Sequence, residues 1–214
     1  TAPNANTITN YGTTGTFSGY ANVSATVYGI LVRNTKNYTV SFNSITSSSG
    51  ASGVTSGTLR GIFVPAASNQ PTGTFTNNIN NNTLAITSHV LAGTINGISV
   101  ETTTSSITST TNINNNNFTA LNHTIAAATG SITAILQAGS STAGPLNHNI
   151  NNNTFTNITS SSTGSFTFIS SNWTRPTNGV GNINNNSIVT AFNKTGAGGT
   201  VTLYFSFGTS GATV

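Results

Sequence analysis

The stretch Asn149–Ser170, NINNNTFTNITSSSTGSFTFIS, is almost entirely Asn, Thr and Ser, broken by single apolar residues. Read alone it passes for a linker. Shorter versions of it elsewhere in the chain point to a different reading. INNNTL, INNNNF, INNNTF and INNNSI begin at residues 79, 113, 150 and 183, at intervals of 34, 37 and 33. A degenerate copy, VSFNSI, begins at residue 40, which is 39 before the first of these, and Ile8 is placed to begin one more. Self-similarity in this range of periods is the mark of stacked structural repeats.

A second column stands about twenty residues beyond each motif. It reads VYGILV (27–32), LRGIFV (59–64), INGISV (95–100), ITAILQ (132–137), FTFISS (166–171) and VTLYFS (201–206). Its first position is always apolar: Val27, Leu59, Ile95, Ile132, Phe166 and Val201. Its third is small in Gly29, Gly61, Gly97 and Ala134, and its fourth is Ile30, Ile62, Ile98, Ile135 and Ile169, then Tyr204. Two columns kept in the same order through every repeat exclude filler.

The period inside each motif is that of a strand, with apolar residues bracketing polar ones and β-branched and aromatic residues filling the second column. Long amphipathic helices are ruled out by the scarcity of helix-forming residues, with no Met and one acid in the chain. Pro65, Pro71, Pro145 and Pro176 follow the second column and Pro3 lies in the N-terminal tail, so no expected strand contains a proline. The fold that buries every apolar position is an all-β, right-handed parallel β-helix of about six coils. At one strand spacing per coil its axis is about 29 Å long. Residues 1–214 read as a single such domain.

The fourth motif position is Asn in all five copies: Asn43, Asn82, Asn116, Asn153 and Asn186. Equivalent side chains of adjacent coils lie one strand spacing apart, so each amide can donate to one neighbour and accept from the other, as a ladder. Asn also tolerates the left-handed backbone needed where a coil turns a corner. The outer Asn positions are left open by sequence alone.

Composition narrows the function. The chain has five Lys plus Arg, a single acid (Glu101) and an apolar fraction of 35%, so the pairing of high charge with low hydrophobicity found in disordered chains is missing. Arg33, Lys36, Arg60, Arg175 and Lys194 are scattered and make no cluster suited to a run of phosphates, which argues against nucleic acid. No apolar run is long enough to insert in a membrane. Without cysteine there is no disulfide framework and no thiolate metal site. The start, TAPNANTITN, has no basic or apolar leader, so a signal peptide is expected to be absent or already removed.

On NINNNTFTNIT followed by GSFTFI, and on the strands YGILV, RGIFV and NGISV, the chain resembles the right-handed parallel β-helix repeat family of secreted and cell-surface bacterial proteins. It is similar to the coils of large surface proteins of Bacteroidota exported by type IX secretion. The resemblance spans residues 7–207. It implies an extracellular or cell-surface location, contact with secretion machinery, and neighbouring β-helix domains or subunits. The C-terminal sorting domain usual in such exported proteins is missing from this sequence, as are the acidic residues of the family's enzymes. The family includes lyases, glycosidases, tailspikes, adhesins and structural repeats, so it carries fold more firmly than function.

Enzymatic chemistry fits poorly. Glycosidases divide their work between two carboxylates, and lyases of this fold commonly hold calcium with acidic ligands. Glu101 alone supplies neither, and no nucleophile elbow accompanies it in VETTTSSITST. His89 and His123 each stand ten residues beyond their motif start, an offset that would stack them as a two-His metal site or as two polar turn positions. No enzyme and no cofactor is expected.

Binding is expected on the connections 65–77, 101–112, 138–148 and 172–181, read as loops gathered along one edge. Trp173 and Arg175, in SNWTRPTNG, form a candidate sugar-stacking platform for a glycan or cell-surface ligand. An alternative is Trp173 folded over the coil edge. An outward column of Tyr28, Arg60, Asn96, Thr133, Thr167 and Thr202 raises ice binding, with only half of it Thr. Asn22, Asn37, Asn122 and Asn172 match the glycosylation pattern, as Ser/Thr-rich composition produces by itself. The chain ends TVTLYFSFGTSGATV with no capping helix, so it is expected to be a segment of a longer protein or to stack on another subunit. The reading that results is a non-catalytic structural or adhesive module. A carbohydrate-binding or carbohydrate-active β-helix is the alternative, with an ice-binding solenoid ranked lower.

Overall fold

The computed structural model of the protein describes residues 6–11, 26–33, 35, 37–47, 58–66, 73–89, 91–104, 107–141, 146–174 and 179–207. Within them the regular elements are nineteen β-strands, and each pairing between strands is parallel. Numbered in chain order, they form three faces. The first face stacks β1 (Asn6–Tyr11), β4 (Asn43–Ser47), β7 (Thr83–Ser88), β10 (Asn117–His123), β13 (Thr154–Phe155) and β17 (Ser187–Ile188). The second stacks β2 (Val27–Leu31), β5 (Leu59–Val64), β8 (Ile95–Thr104), β11 (Ile132–Ser141), β15 (Phe166–Thr174) and β19 (Val201–Phe207). The third stacks β3 (Thr39–Ser41), β6 (Gly73–Asn80), β9 (Ile107–Asn114), β12 (Leu146–Asn151) and β16 (Gly181–Asn184). A short pair, β14 (Thr159–Ser160) and β18 (Asn193–Lys194), adds a corner between the first and second faces of the last two turns.

Successive strands of each face come from successive turns, which defines a parallel β-solenoid. The expected six coils resolve into six strands on two faces and five on the third, so five turns carry all three faces among the described residues.

Both sequence columns stand in register. On the second face Val27, Leu59, Ile95, Ile132, Phe166 and Val201 form one file, and Ile30, Ile62, Ile98, Ile135, Ile169 and Tyr204 another. On the third, Val40, Ile79, Ile113, Ile150 and Ile183 align. On the first, Ile8 continues the file of Ile45, Leu84, Phe118, Phe155 and Ile188. Ile8 therefore occupies the sixth motif position, not the first, and Asn6 is the N-terminal copy of the ladder residue.

The motif itself makes the corner from third face to first. Its third residue is left-handed in every copy, at φ 58° for Asn81, 56° for Asn115, 57° for Asn152 and 55° for Asn185. In the degenerate copy Phe42 adopts φ 59°. Asn suits this position because its short polar side chain offsets part of the steric cost that other L-residues meet there.

Inside, side-chain sizes are traded across the turn. A Cβ on Gly97 would lie 2.6 Å from Phe118 Cε1 and 2.5 Å from the Ala134 carbonyl oxygen, so the third column position stays small where the first face supplies the ring. Two turns later Phe168 occupies that position and meets Phe155 edge-on at 5.1 Å and Phe166 at 4.7 Å. Phe118 and Phe155 stack at 5.0 Å, which carries the aromatic contacts along the axis.

The expected loops are largely strand. β8 runs to Thr104 and β9 resumes at Ile107, β11 reaches Ser141, β15 reaches Thr174, and β6 begins at Gly73. Thr is a good strand former, and the residues of these extensions pair with those of neighbouring turns. Among the described residues, much of each expected loop is therefore strand, and residues 67–72, 105–106, 142–145 and 175–178 of these connections lie outside the described residues.

Candidate functional site

The corner motif places four successive kinds of Asn. The fourth position turns inward and is buried in Asn43, Asn82, Asn116 and Asn153. Nδ2 of Asn43 donates to Oδ1 of Asn82 at 2.8 Å, Asn82 to Asn116 at 2.9 Å, Asn116 to Asn153 at 3.0 Å, and Asn153 to Asn186 at 2.9 Å. Asn6 donates to Asn43 at 3.2 Å and so adds a rung. The second hydrogen of each amide goes to a backbone carbonyl: Val40 for Asn82, Ile79 for Asn116, Ile113 for Asn153 and Ile150 for Asn186. Each Oδ1 from Asn82 onward also accepts the backbone N–H of the preceding rung. An interior rung thus fills both donors and both acceptor sites of its amide. The ladder has one polarity, with donors directed towards the C-terminal end.

On the outside of the third face two further files flank the buried Ile column. The residue before it gives Thr39, Asn78, Asn112, Asn149 and Asn182, and the residue after it gives Ser41, Asn80, Asn114, Asn151 and Asn184. In the first file Asn112 donates to Asn78 at 2.9 Å, Asn149 to Asn112 at 2.7 Å, and Asn182 to Asn149 at 2.9 Å, a polarity opposite to that of the inner ladder. In the second, Oδ1 of Asn80, Asn114 and Asn151 accepts the backbone N–H of the next residue in the file. The Nδ2 groups of this second file have no partner among the described residues. They form a row of amide donors about one strand spacing apart. Sequence left these outer positions open, although the NIN spacing carries the signal: alternation across a strand puts both flanking residues on one face.

The lone acid is engaged. Glu101 Oε1 accepts from Arg60 Nη1 at 2.8 Å and from Ser99 Oγ at 3.1 Å on the outside of the second face. The Arg60 guanidinium lies 3.8 Å above the Phe63 ring, which stacks on Tyr28 at 5.3 Å. Tyr28, Arg60, Asn96, Thr133, Thr167 and Thr202 stand in one file, as the sequence column implied. Lys194 Nζ donates to the carbonyls of Ser162, Gly196 and Gly198 at 2.9, 2.7 and 2.6 Å and so ties down the last corner.

The two histidines do not stack. A β-bulge between Phe118 and Ala120 adds one residue to β10, so His123 stands beside Ser88 and points inward. His89 instead meets Thr124, whose Oγ1 lies 2.7 Å from its Nδ1. His123 is 3% exposed and neither ring nitrogen has a hydrogen-bond partner. Burial lowers its pKa from 6.5 to about 4. His148 is also buried, beside Thr111 on the third face. The equal sequence offset therefore builds no two-His metal site.

Trp173 lies in strand β15 beside Gly139, not on a loop, and Arg175 falls outside the described residues. No helix is long and apolar enough to cross a membrane among the described residues.

Comparison with protein-family models, with curated proteins and with solved structures finds no match.

Proposed function

We propose that the chain is a non-catalytic β-helix module, structural or adhesive in role, of a secreted or cell-surface bacterial protein. The observation that carries this reading is the assignment of its polar groups. The buried amides are spent on one another along the axis, and Glu101 is spent on Arg60 and Ser99. Catalysis of glycoside cleavage needs a second carboxylate to share the proton and water chemistry, and this chain has one. A scaffold braced by a continuous internal Asn ladder, with a repeating outer surface, is suited to rigid display.

A second reading, carbohydrate binding, is favoured by the outer file of Asn80, Asn114, Asn151 and Asn184. Its Nδ2 donors face solvent at a regular spacing, which suits the hydroxyls of an extended glycan. Ice binding ranks below it, because the third-face files are mainly Asn and only half of the second-face file is Thr.

The test is a glycan array combined with polysaccharide hydrolysis assays on the 214-residue chain. Binding without turnover supports an adhesive module, and its loss in Asn114→Ala/Asn151→Ala locates it on the third face. Turnover of any polysaccharide overturns the non-catalytic reading. Thermal hysteresis in a freezing assay overturns it in favour of the ice-binding alternative.

A further inference from the structure

The ends of the solenoid are unlike each other in hydrogen bonding. At the C-terminal end Asn186 Nδ2 gives one hydrogen to the Ile150 carbonyl. Its other hydrogen and its backbone N–H, the two groups that every earlier rung from Asn43 onward directs at the next Oδ1, have no partner among the described residues. At the N-terminal end Asn6 donates to Asn43, and its Oδ1 has no donor among the described residues. One end offers two donors and the other offers the acceptor that interior rungs supply. Two C-terminal ends would place donors against donors.

The apolar surfaces match in the same register. The last turn leaves its core positions open, with Leu203 62% exposed and Ile188 and Val201 also uncovered. Phe155, Phe168, Ile169, Ile183, Ile188 and Leu203 line part of a cleft of about 410 Å³ at this end. Were the files continued by a further turn, Asn6 would follow Asn186, Ile8 would follow Ile188, and Val27 and Leu31 would follow Val201 and Phe205. Gly29 would then face Leu203, pairing the smallest residue of that column with the most exposed side chain.

We propose that this end takes the N-terminal end of a second copy of the same chain, continuing the ladder from Asn186 to Asn6 and the sheets of the first and second faces across the junction. This inference rests on the structural reading above and specifies the partner. Because the contact is heterologous and the files run along the axis, repetition gives an open filament.

The chain has no cysteine, so cross-linking reports the geometry directly. Thr7 and Ser187 are exposed and are the two ends of the outward file Thr7, Ser44, Thr83, Asn117, Thr154 and Ser187. At one strand spacing their replacements fall within disulfide reach. Single variants Thr7→Cys and Ser187→Cys, mixed in a thiol redox buffer, are expected to yield the 7–187 dimer in at least about tenfold excess over either homodimer. The double variant is expected to yield a ladder of oligomers. Asn186→Ala, its fold checked by circular dichroism, is expected to lower the mixed dimer severalfold, and Asn6→Ala to do the same from the other side. Predominance of the 187–187 dimer, a statistical mixture, or a monomer at every concentration would overturn the proposal. A monomer that binds glycans would overturn it while leaving the adhesive reading intact, whereas a filament that binds none supports it and removes only the adhesive part.

Discussion

Asn82 places both its Nδ2 and its backbone N–H on a single atom, Oδ1 of Asn116, at 2.9 and 3.1 Å. The same two-donor contact recurs at each step from Asn43 to Asn186. A rung therefore fixes the backbone of its neighbour as well as its side chain, which makes the cost of removing one depend on its place in the stack.

Asn116→Ala is expected to destabilise the chain by about 3 kcal/mol or more, because it strips partners from two donors of Asn82 and from the Ile79 carbonyl in a dry interior. Asn186→Ala, at the partly exposed end, is expected to cost about 1 kcal/mol, since water replaces what is lost. Urea unfolding of the two variants checks the ordering. Equal losses would mean that the ladder is not what distinguishes the sites.

Phe42 holds at φ 59° the corner that Asn holds in the other copies, and its side chain is exposed. A left-handed residue with an ordinary side chain costs about 1–2 kcal/mol. Phe42→Asn is expected to recover roughly half of that and to raise the melting temperature by a few degrees in calorimetry. A lowered melting temperature would show that the ring contributes packing that outweighs the backbone.

His123 gives the chain an acid sensitivity. Its folded pKa is lowered from 6.5 to about 4 by burial, so as pH falls through that window the unfolded chain takes up a proton that the native chain refuses. Stability contributed by the neutral ring is fully present above pH 6.5 and is lost as pH falls towards 4, at no more than about 1.4 kcal/mol per pH unit. His123→Leu is expected to flatten this dependence. It is also expected to add about 1–2 kcal/mol at neutral pH by removing two unpartnered nitrogens. Denaturant curves at pH 7 and pH 5 read both effects.

Gln137 continues the buried file of Val64 and Val100 on the second face, and neither of its side-chain polar atoms has a partner. Gln137→Leu keeps the volume and removes the unpaired amide, for an expected gain of about 1–2 kcal/mol. A loss instead would show that a bound water satisfies the amide, and a crystal structure of the wild type would place it.

Much of this molecule is written in its repeats. The INNN motif and the GIFV-type column specify which residues stack, because a parallel solenoid sets equivalent positions one strand spacing apart, and like residues there reward each other. Ile62, Ile98, Ile135 and Ile169 and the Asn82–Asn116–Asn153 ladder were legible for that reason. Three features were not. The bulge at Thr119 turns His123 inward without disturbing any motif residue, since one inserted residue between two columns changes register but not identity. The extension of β8 and β11 into Thr- and Ser-rich segments depends on backbone partners in the adjacent turns, and the same composition serves strand or loop. The pairing of Arg60 with Glu101, 41 residues apart, depends on which side chains the neighbouring turn presents on its outer face. Sequence by itself thus determined the periodicity, the core files and the inner ladder. The tertiary structure decided register within a turn, the reach of the strands, and the opposite polarities of the inner and outer Asn files. Those properties arise only when neighbouring turns choose which donors and acceptors to share.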